Sequence, residues 1–260
     1  MKTVGFFYSV FTEKRAVDYS VEQLRLNYPD APIYLVSDGG LDYSYLEDQY
    51  KNIKTCLEED TMSKTFEITG DLPGQYSSKF YKTTPRMGNF KDDYYQDVIK
   101  KCVYSVLDRM ERGIEYCGNP DWMVMCDPDC LIRGQLTFPD NATLLGTRLN
   151  CCFPEGYRDV LRSVGATPIS VWGACPCIFE VKTFLKALKR FRELDKEVNL
   201  LDQFTHQIYG MYAHDVLFPT IFALIGEEEV YNPDTVECCR EPNWRNTHHP
   251  LVHQFRELYD

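Results

Sequence analysis

Residues 2–10 form an apolar run suited to a buried strand, after which the period of the hydrophobic positions changes. From Thr12, in N-cap position, to Asn27, the residues Ala16, Tyr19, Val21 and Leu24 recur on roughly one face, the spacing of an amphipathic helix. Pro29 closes that helix. Pro32 to Val36 is a second apolar run and ends in the turn Ser37-Asp38-Gly39-Gly40. Strand, helix, strand and turn in this order are the βαβ pattern of a parallel sheet.

Residues 41–90 carry a short helix around Tyr45, a strand from Ile53 to Cys56, and a loop rich in Gly, Pro, Ser and Lys, whose stretch from Ser78 to Lys91 groups Lys79, Lys82, Arg86 and Lys91. From Asp92 to Arg112 the period is helical again, with Tyr95, Val98, Ile99, Cys102, Val106 and Met110 on one stripe and Gly113 as its end. Pro120 precedes the apolar run Trp122–Cys126. Ala142–Leu149 and Val171–Phe179 read as strands, and Lys182–Leu194 as a basic amphipathic helix. Asp215 opens a last helix, in which Pro219 is tolerated in the first turn or at a kink. The alternation predicts one α/β domain over residues 1–260, without repeats or low-complexity tracts.

With hydrophobic residues at 44% and aromatics at 14%, the chain has ample material for a core. Its 28 basic and 39 acidic residues give a net charge of −11, which argues against a nucleic-acid partner. No apolar stretch reaches the ~18 residues of a transmembrane helix. The first residues read as a strand rather than a signal peptide, so a cytoplasmic location is expected, the host cytoplasm for a viral protein. In that setting the eleven cysteines are reduced thiols, and the sequon at Asn141 carries no weight. Cys126/Cys130, Cys151-Cys152, Cys175/Cys177 and Cys238-Cys239 never form paired CxxC motifs, so zinc is not expected.

The acidic end of the Trp122–Cys126 run carries the chemistry. Asp127 and Asp129 stand at i and i+2, and in an extended segment they share one side. Two converging carboxylates call for a cation between them, and a hard divalent ion on oxygen ligands would supply it. The alternative is a strand-ending turn, which all three residues of Asp127-Pro128-Asp129 favour. Ligands of an α/β sheet bind beyond the carboxyl ends of its strands, where Ser9 and Asp38 also fall.

Asp127-Pro128-Asp129 after "WMVMC", together with the first βαβ unit, resembles the DxD-containing GT-A glycosyltransferases. The resemblance implies a single GT-A-like domain with a mixed, mostly parallel sheet flanked by helices. Residues 1–130 would be its nucleotide-sugar half and 131–260 its acceptor half. It implies sugar transfer from a nucleotide-diphosphate sugar, a UDP- or GDP-sugar, to a glycan or other hydroxyl acceptor. Mn2+ is the expected metal, with Mg2+ as the weaker candidate. The implied metal ligands are Asp127, Asp129 and His249, with His248 and His253 as alternatives to His249. Ser9, Asp38, Arg86, Lys91 and Asp127 would bind the nucleotide sugar, and Trp172-Gly173 would stack on the acceptor unless Trp172 is a core residue. Asp215, like that family's acidic catalytic motif, would be the general base of an inverting transfer; its other reading is an N-cap.

A sugar-phosphate nucleotidyltransferase is a second enzyme reading, but the glycine-rich phosphate loop it needs after the first strand is absent from "YSVFTEKR". A non-catalytic nucleotide-sugar or carbohydrate-binding module is the third.

Overall fold

The first apolar run becomes β1, Val4–Val10. Phe6, Tyr8 and Val10 point to one face of the sheet and Phe7 to the other, as a period of two requires, and the two sets enter different buried clusters. This computed structural model describes residues 2–58, 93–146, 154–168, 176–207, 214–237 and 248–253. After β1 come α1 (Lys14–Asn27), β2 (Ile33–Asp38), α2 (Tyr45–Gln49) and β3 (Ile53–Glu58). The long helix α3 (Asp93–Tyr116) leads to β4 (Trp122–Cys126), β5 (Cys130–Ile132), β6 (Leu144–Gly146) and α4 (Glu155–Ser163). Then follow β7 (Ile178–Glu180), α5 (Val181–Val198), α6 (Leu200–Thr205), α7 (His214–Ala223), β8 (Glu229–Tyr231), β9 (Thr235–Glu237) and β10 (Leu251–His253).

Seven strands form one sheet in the order β3-β2-β1-β4-β7-β6-β8. β3, β2, β1 and β4 run parallel, and so do β6 and β8; β7 is antiparallel to both its neighbours. The fold is therefore α/β with a mixed, mostly parallel sheet and helices on both faces. One face carries α1, whose Val17, Val21 and Leu24 pack on Phe6, Tyr8, Val124 and Cys126. The other carries α3 to α7 over Phe7, Met123, Met125 and Phe179. Each fully buried Val or Leu contributes about 1.5–3 kcal/mol, so these two layers dominate the stability. Strands from both halves of the chain share the sheet, since β6, β7 and β8 extend the one that β1–β4 begin.

Several boundaries differ from the sequence reading for local reasons. The first helix begins at Lys14, with Glu13 rather than Thr12 at its N-cap: the Val17 N–H donates to the Glu13 carbonyl at 3.0 Å, and the Glu13 carboxylate accepts the backbone N–H groups of Phe11 (3.2 Å) and Thr12 (2.9 Å). Gly113 does not end α3; the helix continues to Tyr116. A Cβ at Gly113 would stand 2.9 Å from Phe7 Cδ2 and 3.2 Å from Tyr34 Cδ1, so the glycine lets α3 lie close on the sheet. Pro219 sits inside α7, beyond its first turn. Within the strands expected over Ala142–Leu149 and Val171–Phe179, the described residues hold Leu144–Gly146 and Ile178–Glu180; residues 147–149 and 171–175 lie outside the described residues.

The sequence pattern did not predict a second sheet. In it β10 lies between β5, antiparallel, and β9, parallel. It packs beneath α1, where Cys130, Ile132 and Leu251 join the same cluster as Val17 and Val21. Among the described residues no helix is long and apolar enough to cross a membrane.

Candidate functional site

Asp127-Pro128-Asp129 follows β4 not as an extended segment but as a β-turn. The Cys130 N–H donates to the Asp127 carbonyl at 3.0 Å, and the Asp127 N–H donates to Cys130 Sγ at 3.3 Å. Pro128, with its fixed φ, stands second in that turn, the place such turns favour for proline. The turn reverses the chain into β5, so the same-side argument for the two carboxylates does not hold. Asp127 is half-buried, whereas Asp129 is only 7% exposed. The strand-ending-turn reading of this tripeptide is the one realised, and the turn leaves a buried acid, Asp129, at the tip of β4.

The strand register decides which histidine meets that acid. β10 runs antiparallel to β5 with His253 opposite Cys130, Val252 opposite Leu131 and Leu251 opposite Ile132. His253, 6% exposed, therefore arrives beside Asp129, and its Nε2 lies 3.7 Å from Asp129 Oδ1. His249 is four residues earlier, roughly 13 Å along an extended chain. Its Nδ1 faces the Pro233 carbonyl at 3.2 Å, and its own carbonyl accepts the Arg133 Nε–H at 3.1 Å. His248 is exposed. Of the three histidines weighed for the metal, the structure brings His253 to Asp129 and not the first choice, His249.

The distance itself is informative. At 3.7 Å, Asp129 Oδ1 and His253 Nε2 are too far apart for a hydrogen bond, yet within the ~4.2 Å that two ligands at about 2.1 Å from one ion can span. Cys130 Sγ completes the group: all three donor atoms lie within 4.8 Å of one another, and all three residues are buried. The donor set fits a divalent ion.

The surroundings hold this group in place. The Cys130 carbonyl accepts the Ser20 hydroxyl of α1 at 2.5 Å, and Ser20 is joined to the Tyr8 hydroxyl of β1 at 2.8 Å. Glu13, at the start of α1, is buried near Asp129. Burial pushes its carboxyl above the ordinary carboxylate range; the N–H groups of Phe11 and Thr12 pull it down, and the Asp129 charge pushes it up further. Gly40 seats the next loop: a Cβ there would lie 2.1 Å from the Phe11 carbonyl oxygen, which accepts the Leu41 N–H at 2.8 Å.

The other expected site residues fall elsewhere or outside the described residues. Ser9 is half-buried on β1, opposite Val36. Asp38 ends β2 on the α3 face of the sheet, whereas Cys130 packs in the cluster on the α1 face. Its Oδ1 accepts Arg109 Nη2 at 2.9 Å, while Arg109 Nε donates to Glu58 at 2.8 Å and Arg112 pairs with the same glutamate. The Asp38 carboxylate is thus engaged by a buried guanidinium. Arg86, Lys91, Trp172 and Gly173 lie outside the described residues, as do the other cations of that loop. Asp215 lies in the first turn of α7, as expected, and its side chain is outside the description.

Sequence reasoning missed Glu13 and Cys130 as neighbours of the site. Glu13 carried no signal beyond that of a helix-start acid. Cys130 was judged by cysteine spacing along the chain, a test blind to a ligand brought in across strands.

No known family model matches the chain, and no curated protein matches it. Among solved structures it is similar to the galactosyltransferase LgtC in complex with donor and acceptor sugar analogues, at 12% identity and a TM-score of 0.46, over 95% of this chain and 86% of that one. It is also similar to the bifunctional glycosyltransferase WbbM, at 11% identity and a TM-score of 0.47, over 98% of this chain and 46% of that one. A third similar structure is the mannosyltransferase Ktr4p of S. cerevisiae in complex with GDP, at 8% identity and a TM-score of 0.42, over 78% of this chain and 63% of that one.

Proposed function

We propose that this protein is a divalent-metal-dependent glycosyltransferase that takes a sugar from a UDP- or GDP-sugar and passes it to a glycan or other hydroxyl acceptor. The observation that carries the reading is the buried Asp129–His253 pair, 3.7 Å apart, just beyond the carboxyl end of β4. Sites for nucleotide ligands in α/β sheets lie there, outside the strand ends. The solved structures it is similar to include a galactosyltransferase and a mannosyltransferase, and the reading is the same one the DxD resemblance implies.

In this reading Asp129 and His253 hold the ion, Mn2+ or more weakly Mg2+, and the half-buried Asp127 faces the donor. Such an ion, when bound, would supply positive charge to neutralise the charge that develops on the departing nucleoside diphosphate. The chain's own residues would place the ligands for it: the turn closed by the Asp127 and Cys130 amides sets the two acids, and β10 sets the imidazole by its register. Residues 1–130 bind the nucleotide sugar, with Ser9, Arg86 and Lys91 around the donor, and 131–260 bind the acceptor, with Trp172-Gly173 as the sugar platform. Asp215, at the start of α7, takes the acceptor hydroxyl's proton in an inverting transfer. The setting is cytoplasmic.

The test is a panel of UDP- and GDP-sugars incubated with Mn2+ and the protein, with nucleoside diphosphate release and sugar transfer as readouts. Release from one donor that disappears on chelation supports the enzyme. Tight, metal-dependent donor binding without release or transfer would make the protein a binding module. Asp215→Asn should leave donor affinity intact and lower transfer by roughly a hundredfold or more. A product that keeps the donor's anomeric configuration would refute the inverting assignment.

A further inference from the structure

Cys130 lies at the proposed metal site with a donor atom that a magnesium or manganese site does not need. Its sulfur is within 4.8 Å of both the Asp129 carboxylate oxygen and the His253 ring nitrogen, and Cys130 is 0% exposed. Three elements converge to put it there. The turn after β4 supplies Asp129 and Cys130, β10 supplies His253 directly opposite Cys130, and α1 holds the Cys130 carbonyl through Ser20. Among the described residues this is the group of three acidic, imidazole or thiol side chains close enough to share an ion.

The sulfur is also oriented. It accepts the Asp127 N–H at 3.3 Å, a contact of the outer-shell kind that fixes a ligating atom in direction. An oxygen, a nitrogen and a sulfur on one ion form a mixed set. Thiolate favours zinc and other thiophilic ions, whereas magnesium and manganese prefer carboxylate, carbonyl and water. The absence of paired CxxC motifs does not bear on such a site, because its ligands are joined by strand register rather than by spacing along the chain.

We propose that Cys130 is a third protein ligand of this metal site, and that the site therefore prefers a thiophilic divalent ion, zinc or cobalt, over manganese and magnesium. The proposal rests on the metal-site reading above. As the sulfur–metal bond forms, the thiol proton leaves to solvent, so binding releases a proton. Zinc and manganese then compete for one position, and manganese dependence is seen only where zinc is kept out.

The experiment is a cobalt titration of the full-length, metal-stripped protein, with binding followed by equilibrium dialysis and ligation by absorption. The expected result is one cobalt ion per chain and a near-ultraviolet sulfur-to-cobalt charge-transfer band. Zinc should displace that ion and magnesium should not. Cys130→Ser keeps the size of the side chain and an acceptor for the Asp127 amide. It should lose the band and bind zinc about 100-fold or more weakly, the upper end of what even outer-shell changes cost.

Cobalt bound in a manner dependent on Asp129 and His253 but without the band would overturn Cys130 as a ligand and leave the metal site standing. A band that survives Cys130→Ser would belong to another of the eleven cysteines and would overturn the proposal equally. No binding that responds to Asp129→Asn or His253→Gln would sink the metal reading and this one together. Should Cys130→Ser fail to fold, the cadmium-loaded wild-type protein decides the question. Its cadmium NMR resonance moves strongly downfield with a thiolate ligand, and an all-oxygen-and-nitrogen shift would refute the assignment.

Discussion

Replacing Arg109 by Met removes the guanidinium between Asp38 and Glu58 while keeping much of the side chain's apolar length. The Arg109 side chain is 6% exposed and that of Asp38 is 8% exposed, with 2.9 Å between Nη2 and Oδ1. The Glu58 contact at 2.8 Å is wetter, since the glutamate is 24% exposed, and its loss counts for less. Breaking one side of a buried pair costs about 3–5 kcal/mol, because the remaining charge stays buried without its partner. With a urea m-value of about 3 kcal/mol/M for a chain of this size, a loss of about 4 kcal/mol moves the unfolding midpoint down by roughly 1.3 M. Urea titrations followed by circular dichroism measure this directly. The double variant Asp38→Leu with Arg109→Met should recover most of the loss, since an apolar pair replaces the ionic one. A midpoint shift below about 0.3 M, or no recovery in the double variant, would refute the argument that this pair ties β2 to α3.

Gly113→Ala should destabilise the protein by about 1–3 kcal/mol, because its Cβ would crowd Phe7 at 2.9 Å. At an open helical position the same change would stabilise by up to about 1 kcal/mol, so a rise in melting temperature would refute the close approach of α3 to the sheet. Gly40→Ala meets backbone rather than a movable side chain, 2.1 Å from the Phe11 carbonyl oxygen, and should cost about 3 kcal/mol or disrupt the loop before α2; an unchanged melting temperature would contradict this. Glu13→Gln tests pH linkage in the metal-free protein. Burial holds the folded carboxyl above its ordinary 4.5, so the unfolded chain loses this proton first as pH rises. Glu13 therefore costs wild-type stability progressively from about pH 4.5 up through its folded pKa. The gain in melting temperature from Glu13→Gln should be larger at pH 7 than at pH 4, and an equal gain at both would show that the buried charge is not its cause.

The hydrophobic positions were enough to find β1, β2 and the acid-tipped β4 as apolar runs, because each is buried on both faces, and α1 by its period, because it buries one stripe. The small second sheet was not legible. Its strands β5, β9 and β10 are described over three residues each, too few to show a period, and they are joined by pairing between distant parts of the chain. The same cause hid the site's third element. Asp127 and Asp129 were visible as a pair of acids after an apolar run, but the choice between His249 and His253 is made by β5–β10 register. A preference for His249 before Pro250 had no access to that register. Asp38 shows the converse: its position at a strand end reads as a ligand site, and only the tertiary fold reveals Arg109 against it. Gly113 likewise reads as a helix end until Phe7 and Tyr34 are seen beneath it.

Strand register puts His253 beside Asp129, and under the proposed function this pair makes donor binding depend on a divalent ion. Calorimetric titration of UDP and GDP into the protein, with Mn2+ and after chelation, tests it when wild type, His253→Ala and His249→Ala are compared. One of the two nucleotides should bind in a metal-dependent way to wild type and to His249→Ala, and this binding should be lost in His253→Ala. Binding that survives His253→Ala but fails in His249→Ala, or that is indifferent to the metal throughout, would contradict it.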